Sequence, residues 1–395
     1  ICQPILSRMI SFENTEIAFS DRSDKELNRS YWLFRMVGNP TLVKLGKMGL
    51  SIGLSLRLPI KGIIRATVFE HFCGGESIGK CEETIERLHQ KGISTLLDYS
   101  AEGKESEADF DKSCKEVLKT VKLAGRDDRI PFCVFKPSAL IRSGLLAKLN
   151  SNGKLNQTET EEWERGKARV RSICQAGFDK KIGVFIDAEE SWIQTTIDGL
   201  AAEMMSEFNR DGVIVYNTIQ LYRKDRLAFL KSSFAQAQKD GYKLGLKLVR
   251  GAYMEKERER AEDQGYPSPI HDTKTATDKD YDLALEFCVK NNKGIQIIAG
   301  THNEKSSKLL ALLMTNKGLS NNDSNIYFSQ LYGMSDNIGF NLASAGYNVV
   351  KYVPYGPILE VMPYLIRRAE ENTSIAGQTG RELSLIMQEK ARRAS

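Results

Sequence analysis

From about residue 93 the chain repeats one pattern. A short apolar, β-branched run ends on a polar residue and is followed by a longer stretch with apolar positions at helical spacing. The apolar runs cover 94–99, 132–135, 182–186, 212–216, 244–249, 294–298, 325–328 and 347–352, with amphipathic stretches such as 226–239 and 280–290 between them. Eight strand–helix units in about 280 residues predict an α/β fold, a parallel (β/α)8 TIM-like barrel. A doubly wound open sheet also alternates strand and helix, but eight units at this length match the barrel better. Residues 25–91 read as helical, divided by Pro40 and Pro59, and 381–393 read as a charged terminal helix. The expected division is an N-terminal helical arm over 1–92, the barrel over 93–372 and a C-terminal helical tail over 373–395. No low-complexity linker separates freely moving domains.

In a barrel of this type, functional groups gather at the C-terminal ends of the strands. Those ends carry Asp98, Lys136, Asp187, Gln220, Lys247 with Arg250, Thr301-His302-Asn303, Gln330 and Tyr352. Any one of them alone is commoner as a cap or a solvated residue. Their recurrence at every strand end predicts a mouth suited to an anionic ligand and a polar cofactor ring. The last unit reads as a strand, a Pro/Gly turn and a short helix. On that helix Tyr364, Arg367, Arg368 and Glu371 form an exposed stripe opposite Leu365, Ile366 and Ala369. Adjacent guanidiniums make a fork for an anion. Taken alone, the segment also reads as a solvated face with an Arg367–Glu371 pair.

A hydrophobic fraction of 41% and a charged fraction of 27% describe an ordinary globular chain. The net charge of +5, without a basic block interleaved with aromatics, gives no argument for nucleic acid. Seven scattered cysteines without a CxxC suit a reducing compartment, and four distant histidines without an HxxxH offer no helix-borne metal site. The apolar stretch 48–69 is broken by Arg57, Pro59, Lys61 and Arg65, so it does not read as a transmembrane helix. The chain opens at Ile1 rather than Met, and targeting cannot be read from it.

The same stretches resemble the proline dehydrogenase family, the flavin enzymes that oxidise L-proline. The matching motifs are Phe135-Lys-Pro-Ser-Ala139, Ile186-Asp-Ala-Glu-Glu190, Asn217-Thr-Ile-Gln-Leu-Tyr222 and Lys247-Leu-Val-Arg-Gly-Ala-Tyr253. Gly300-Thr-His-Asn303, Gln330-Leu-Tyr-Gly-Met334 and the segment 352–372 complete them, in the family's order. The resemblance implies that Arg367, Arg368 and Lys136 hold the proline carboxylate and that Tyr352 packs on the substrate ring, with Tyr253, Leu331 and Tyr364 completing the pocket. It implies that Asp187 organises the clamp and that Glu371 steadies the arginines. Ala188, Gln220, Lys247, Val249, Arg250, Gly251, Ala252, Thr301 and His302 would line a non-covalently bound FAD, with Lys247 near flavin N5. Lys247 stands where many bacterial relatives have arginine, keeping the charge without the planar fork. Met254 stands where some relatives have tryptophan, so the resemblance does not imply an aromatic stack on the adenine.

The implied reaction is hydride transfer from proline C5 to FAD, giving 1-pyrroline-5-carboxylate. A quinone would accept the electrons, and a separate pyrroline-5-carboxylate dehydrogenase would take the product. Residues 42–65 are the candidate peripheral membrane contact. The setting implied is a bacterial cytoplasm, with possible contact to the inner membrane, or else a mitochondrial matrix and inner membrane. Hydroxyproline is the alternative substrate, and a phenol at Tyr352 leaves little room for its 4-hydroxyl. From another class, a non-catalytic amino-acid-binding barrel is the rival reading. Gly74-Gly-Glu-Ser-Ile-Gly-Lys-Cys81 nearly spells a phosphate-binding loop, but it ends on Cys81, carries Glu76 in the cradle and follows a helical rather than a strand pattern. No GxGxxG occurs, which leaves no foothold for an NAD-dependent Rossmann unit or a fused aldehyde dehydrogenase module.

Overall fold

Eight strands close into one parallel barrel in chain order: β1 Ile93–Tyr99, β2 Phe132–Phe135, β3 Gly183–Ile186, β4 Val215–Gln220, β5 Leu244–Val249, β6 Ile295–Gly300, β7 Ile326–Leu331 and β8 Val349–Tyr355. This computed structural model describes residues 10–39, 41–42, 61–100, 105–374 and 378–395; the side chains of 63, 66, 369–374, 378 and 379 lie outside the description. Strands with helices outside and side chains inside are buried on both faces, so β2, β3, β4 and β8 are buried at every position. The strands fall where the apolar runs predict them, except for β4, expected over 212–216 and found three residues later. Asn209 explains the shift. Its Oδ1 accepts the amides of Ile214 and Val215 at 2.9 and 2.8 Å, and its Nδ2 donates to Val215 O and Lys243 O at 2.8 and 3.1 Å. The apolar run is therefore tied down as a lead-in. The strand continues instead through Asn217 and Gln220, whose amides donate to Asp198 Oδ1 at 2.9 Å and to Glu189 O at 2.7 Å.

By contact the chain forms two compact units, 103–329 and the two ends, 1–102 with 330–395. Within the first, Phe132 meets Phe185 at 5.1 Å and Tyr327 at 5.0 Å between ring centroids, and Phe185 meets Tyr216 at 4.8 Å. β2 and β7 are not neighbours, so these rings meet across the lumen as an aromatic plug. Gly183 makes room for it: a Cβ there would lie 2.4 Å from the Phe132 ring.

Within the second unit, the helix Asp24–Val37 starts at a capping box. The Ser23 amide donates to Glu26 Oε2 at 2.8 Å, and the Glu26 amide donates to Ser23 Oγ at 3.3 Å. Its Leu27 and Phe34 pack on Leu385 and Ile386 of the terminal helix Gln378–Ala394, while Leu33 and Val37 join Ile64, Phe69 and Phe72 against Tyr364 and Leu365 of the helix Met362–Ser374. Beneath them the buried Lys351 donates to Asp336 Oδ1 at 2.8 Å and to Met334 O at 2.7 Å, and Arg22 donates to Asp336 Oδ2 at 3.0 Å. Burial pushes the Asp336 carboxyl up, but Lys351 and Arg22 outweigh it and hold the group below the usual carboxylate range.

The near phosphate-loop motif serves the fold. The Gly74 amide donates to Pro354 O at 2.9 Å, and the Gly356 amide donates to Gly75 O at 3.1 Å, which adds a single parallel bridge at the C-terminal end of β8. A Cβ on Gly75 would come within 2.8 Å of the Lys80 backbone, so the loop folds back on itself. For that reason the stretch 25–91, read as helical, is broken here, and the helix after the motif begins only at Glu82, following a short 3-10 turn Ile78–Cys81.

Candidate active site

A buried ion pair forms the polar centre of the unit 103–329. Lys247 on β5 donates to Asp187 Oδ1, just past the end of β3. Thr218, opposite Lys247 in the β4–β5 register, places its hydroxyl 3.4 Å from the same oxygen. Asp187 is fixed in turn by its own amide, which donates to Phe135 O at 3.0 Å. The Lys247 ammonium lies 5.9 Å from the Phe185 ring, so the aromatic plug floors the pair. At 8% and 9% exposure, neither charge is left to bulk water. Removing one partner would leave a buried charge uncompensated, at a cost of about 3–5 kcal/mol.

Around this centre the strand ends bring several of the expected residues together. Gln220 and Val249 are register neighbours on β4 and β5, and Ala188 is buried beside Asp187. Arg250 is held from three sides: Nε donates to Asp278 Oδ1 at 2.7 Å, Nη1 to Thr301 Oγ1 at 2.7 Å and Nη2 to Ser306 Oγ at 2.9 Å. Its guanidinium also stacks 4.3 Å over the Tyr281 ring. Burial pushes the Asp278 carboxyl up, but hydrogen bonds from Lys274 and Arg250 bring it below its ordinary value. Gly251 has φ of +140°, and a Cβ there would sit 2.5 Å from the Tyr222 ring, so only glycine fits. Gly251 and Ala252 are exposed, and Tyr253 and His302 are half-buried.

Two cations, a hydroxyl, an amide and an open backbone stretch, all from β4, β5 and β6 ends, suit a ligand with ring carbonyls and an anionic diphosphate. The chemistry of this donor set fits FAD.

Lys136 follows β2, half-buried, and leads into the short turn Pro137–Ala139. That turn is clasped by Glu189, to which sequence reasoning gave no role. Glu189 Oε1 accepts the Ser138 amide at 2.8 Å, and Oε2 accepts the Ser138 hydroxyl. Its position two residues after Asp187 was a signal available in the sequence; its partner, 51 residues away, was not.

The other candidates belong to the second unit. Tyr352 is buried on β8 opposite Leu96, and its carbonyl accepts the Tyr332 amide at 2.9 Å. Leu331 packs against the same apolar cluster as Tyr364. On the helix Met362–Ser374, the Arg368 guanidinium lies 5.1 Å from the Tyr364 ring centroid, and both residues are buried while Arg367 is half-buried. Two members of the expected exposed stripe, Tyr364 and Arg368, are therefore covered, and Tyr364 shares an apolar cluster with Leu33, Val37, Ile64 and Phe69. The Glu371 side chain lies outside the described residues. Gln330 also departs from expectation. A Cβ on Gly339, in the helix Asp336–Ser344, would be 2.9 Å from its Oε1, so its amide faces the helix layer.

Fold and site together define a (β/α)8-barrel protein with a buried ion pair and cationic donors at its strand ends. Residues 81–381 match the family model described as proline dehydrogenase. The chain belongs to the proline dehydrogenase family and, with it, to the oxidoreductases. It is 34% identical over 333 residues to the carbapenem antibiotics biosynthesis protein CarD of Pectobacterium carotovorum subsp. carotovorum, covering 84% of this chain and 86% of that one. It is 32% identical over 374 residues to mitochondrial proline dehydrogenase 2 of Arabidopsis thaliana, covering 84% and 79%. To the hydroxyproline dehydrogenase of Xenopus laevis it is 29% identical over 435 residues, covering 99% and 93%. The crystal structure of proline utilization A from Bdellovibrio bacteriovorus, inactivated by N-propargylglycine, is similar with a TM-score of 0.72 at 22% identity. That alignment covers 91% of this chain and 38% of the longer one, and its likeness is one of fold.

Proposed function

We propose that the protein is a flavin-dependent dehydrogenase that oxidises L-proline to 1-pyrroline-5-carboxylate. The observation that carries this reading is the buried Lys247–Asp187 pair beside the anchored Arg250, in a chain of the proline dehydrogenase family. Bound FAD supplies the acceptor for the hydride lost from proline C5. Lys247, Gln220, Arg250, Thr301 and His302, with Ala188 and the backbone of Val249, Gly251 and Ala252, are the residues that would hold it. Lys247 and Arg250 are held in place by Asp187 and Asp278, which preorganises them as donors for a bound ring.

Arg367, Arg368 and Lys136 are assigned to the substrate carboxylate, Glu371 to steadying the arginines, and Tyr352, Tyr364, Tyr253 and Leu331 to the apolar ring. Fixing one end of a small rigid substrate orients its reacting carbon, an effect that contributes roughly 7–11 kcal/mol in favourable cases. Electrons then pass to a quinone, and the product goes to a separate pyrroline-5-carboxylate dehydrogenase. No helix among the described residues is long and apolar enough to cross a membrane, and the expected membrane contact at 42–65 falls mostly outside the described residues.

Hydroxyproline oxidation is the second reading, favoured by the similarity to a hydroxyproline dehydrogenase over nearly the whole chain. Incubation of the flavin-loaded protein with L-proline and a quinone, with the product trapped by o-aminobenzaldehyde, is expected to yield the pyrroline adduct. Adduct formation from hydroxyproline at a higher kcat/KM would instead support the second reading.

A further inference from the structure

We infer that Glu189 is a positioning residue: its clasp on Ser138 fixes the turn that carries Lys136 and so sets the affinity for the substrate carboxylate. The inference rests on the functional reading above and adds to it a residue outside its substrate and cofactor sets. Glu189 is 5% exposed, three residues beyond β3. Its own backbone is held on both sides. The amide donates to Gln194 Oε1 at 2.8 Å, and the carbonyl accepts Gln220 Nε2 at 2.7 Å. The carboxylate therefore has a fixed place, anchored to β4 and to the helix Ser191–Phe208 rather than to the turn it holds.

Both of its oxygens are spent on Ser138, one on the backbone amide and one on the hydroxyl. Ser138 is the middle residue of the turn Pro137–Ala139, and Lys136 stands immediately before the proline. A residue before proline is restricted to extended backbone, and Lys136 has φ −96° and ψ 130°. With its backbone so restricted, the direction in which the Lys136 side chain leaves the backbone follows from where the turn is docked. Burial pushes the Glu189 carboxyl up to about 7, against the pull of Ser138 and Lys136. A buried carboxylate kept at that cost, clasping a single turn, is better explained by the placement of Lys136 than by stability.

The carboxylate handle of proline is remote from the carbon that loses hydride. A misplaced Lys136 should therefore weaken substrate and transition state alike, raising KM while leaving kcat in place. The test is a double-mutant cycle on the flavin-loaded protein, with L-proline as substrate and cyclopentanecarboxylate as a competitive probe lacking the ring nitrogen. Glu189→Ala should raise KM and the inhibition constant together by about tenfold, the loss expected of one misplaced charge-assisted bond. The kcat and flavin content should stay near wild type, and Glu189→Gln, which still accepts the Ser138 amide, should recover most of the affinity. In a Lys136→Met background, Glu189→Ala should add almost nothing, because the two act through one group.

If Glu189→Ala does not fold, Ser138→Ala supplies the same cycle with a smaller rise. An unchanged KM in an active protein, or full additivity with Lys136→Met, overturns the inference and leaves the functional reading standing. Failure of the wild-type protein to turn over proline overturns both.

Discussion

Arg367 and Arg368 sit side by side in sequence but in different surroundings: Arg368 is buried against the Tyr364 ring, and Arg367 is half-buried. If both bind the substrate carboxylate, replacing the less packed one tests the clamp with little risk to the fold. Arg367→Met should raise the KM for proline about 10- to 100-fold, since a charge-assisted bond contributes about 1.5–3 kcal/mol. Steady-state kinetics with an unchanged KM would remove Arg367 from the site. Tyr352 is a similar case for specificity. Buried on β8, its phenol should exclude a 4-hydroxyl, and Tyr352→Ser should narrow the preference for proline over hydroxyproline in a competition assay. Equal turnover of both by the wild type would end that steric account. The motifs singled out Asp187, Lys247 and the two arginines as candidates from the sequence. The clasp on Ser138 was not, because a carboxylate's partner 51 residues away leaves no local pattern.

At the scale of elements, the terminal helix Gln378–Ala394 shows how burial ties a helix to pH. Its Glu382 is buried, and Oε1 accepts the amide of Ser335, a residue with φ of +50°. Burial pushes this carboxyl up from 4.5 to about 7, helped by the nearby Asp336 charge. The folded state thus holds a proton that the unfolded chain has released, and stability from this group falls as pH rises from about 4.5 to about 7. Glu382→Gln removes the penalty. The variant should be more stable than wild type at pH 8, by up to about 3 kcal/mol, with the gain gone by pH 5. Thermal unfolding at the two pH values checks this; a difference independent of pH would contradict it. Periodicity located this helix and seven of the eight strands closely. It misplaced β4, where one asparagine side chain outcompetes the strand pattern, and it read through 73–77 as helical, where backbone packing at Gly75 makes a loop.

For the whole molecule, the eightfold alternation was enough to predict the barrel, because strands covered on both sides leave a strong apolar signature. What the pattern could not show is that the two chain ends build one compact unit. That unit depends on contacts such as the Arg22–Asp336 pair, 314 residues apart, and on buried charge that single-residue hydropathy reads as surface. Long-range packing also takes in Tyr364, and Arg368 is buried beside it, although their local sequence presents both as exposed. The central claim is that this barrel holds a flavin able to take electrons from L-proline. Its most direct measurement is an anaerobic titration of the flavin-loaded protein with L-proline, followed by absorbance. Stepwise loss of the oxidised flavin band is expected, complete near stoichiometric product formation and reversed by a quinone. A flavin band unchanged by excess L-proline would contradict it.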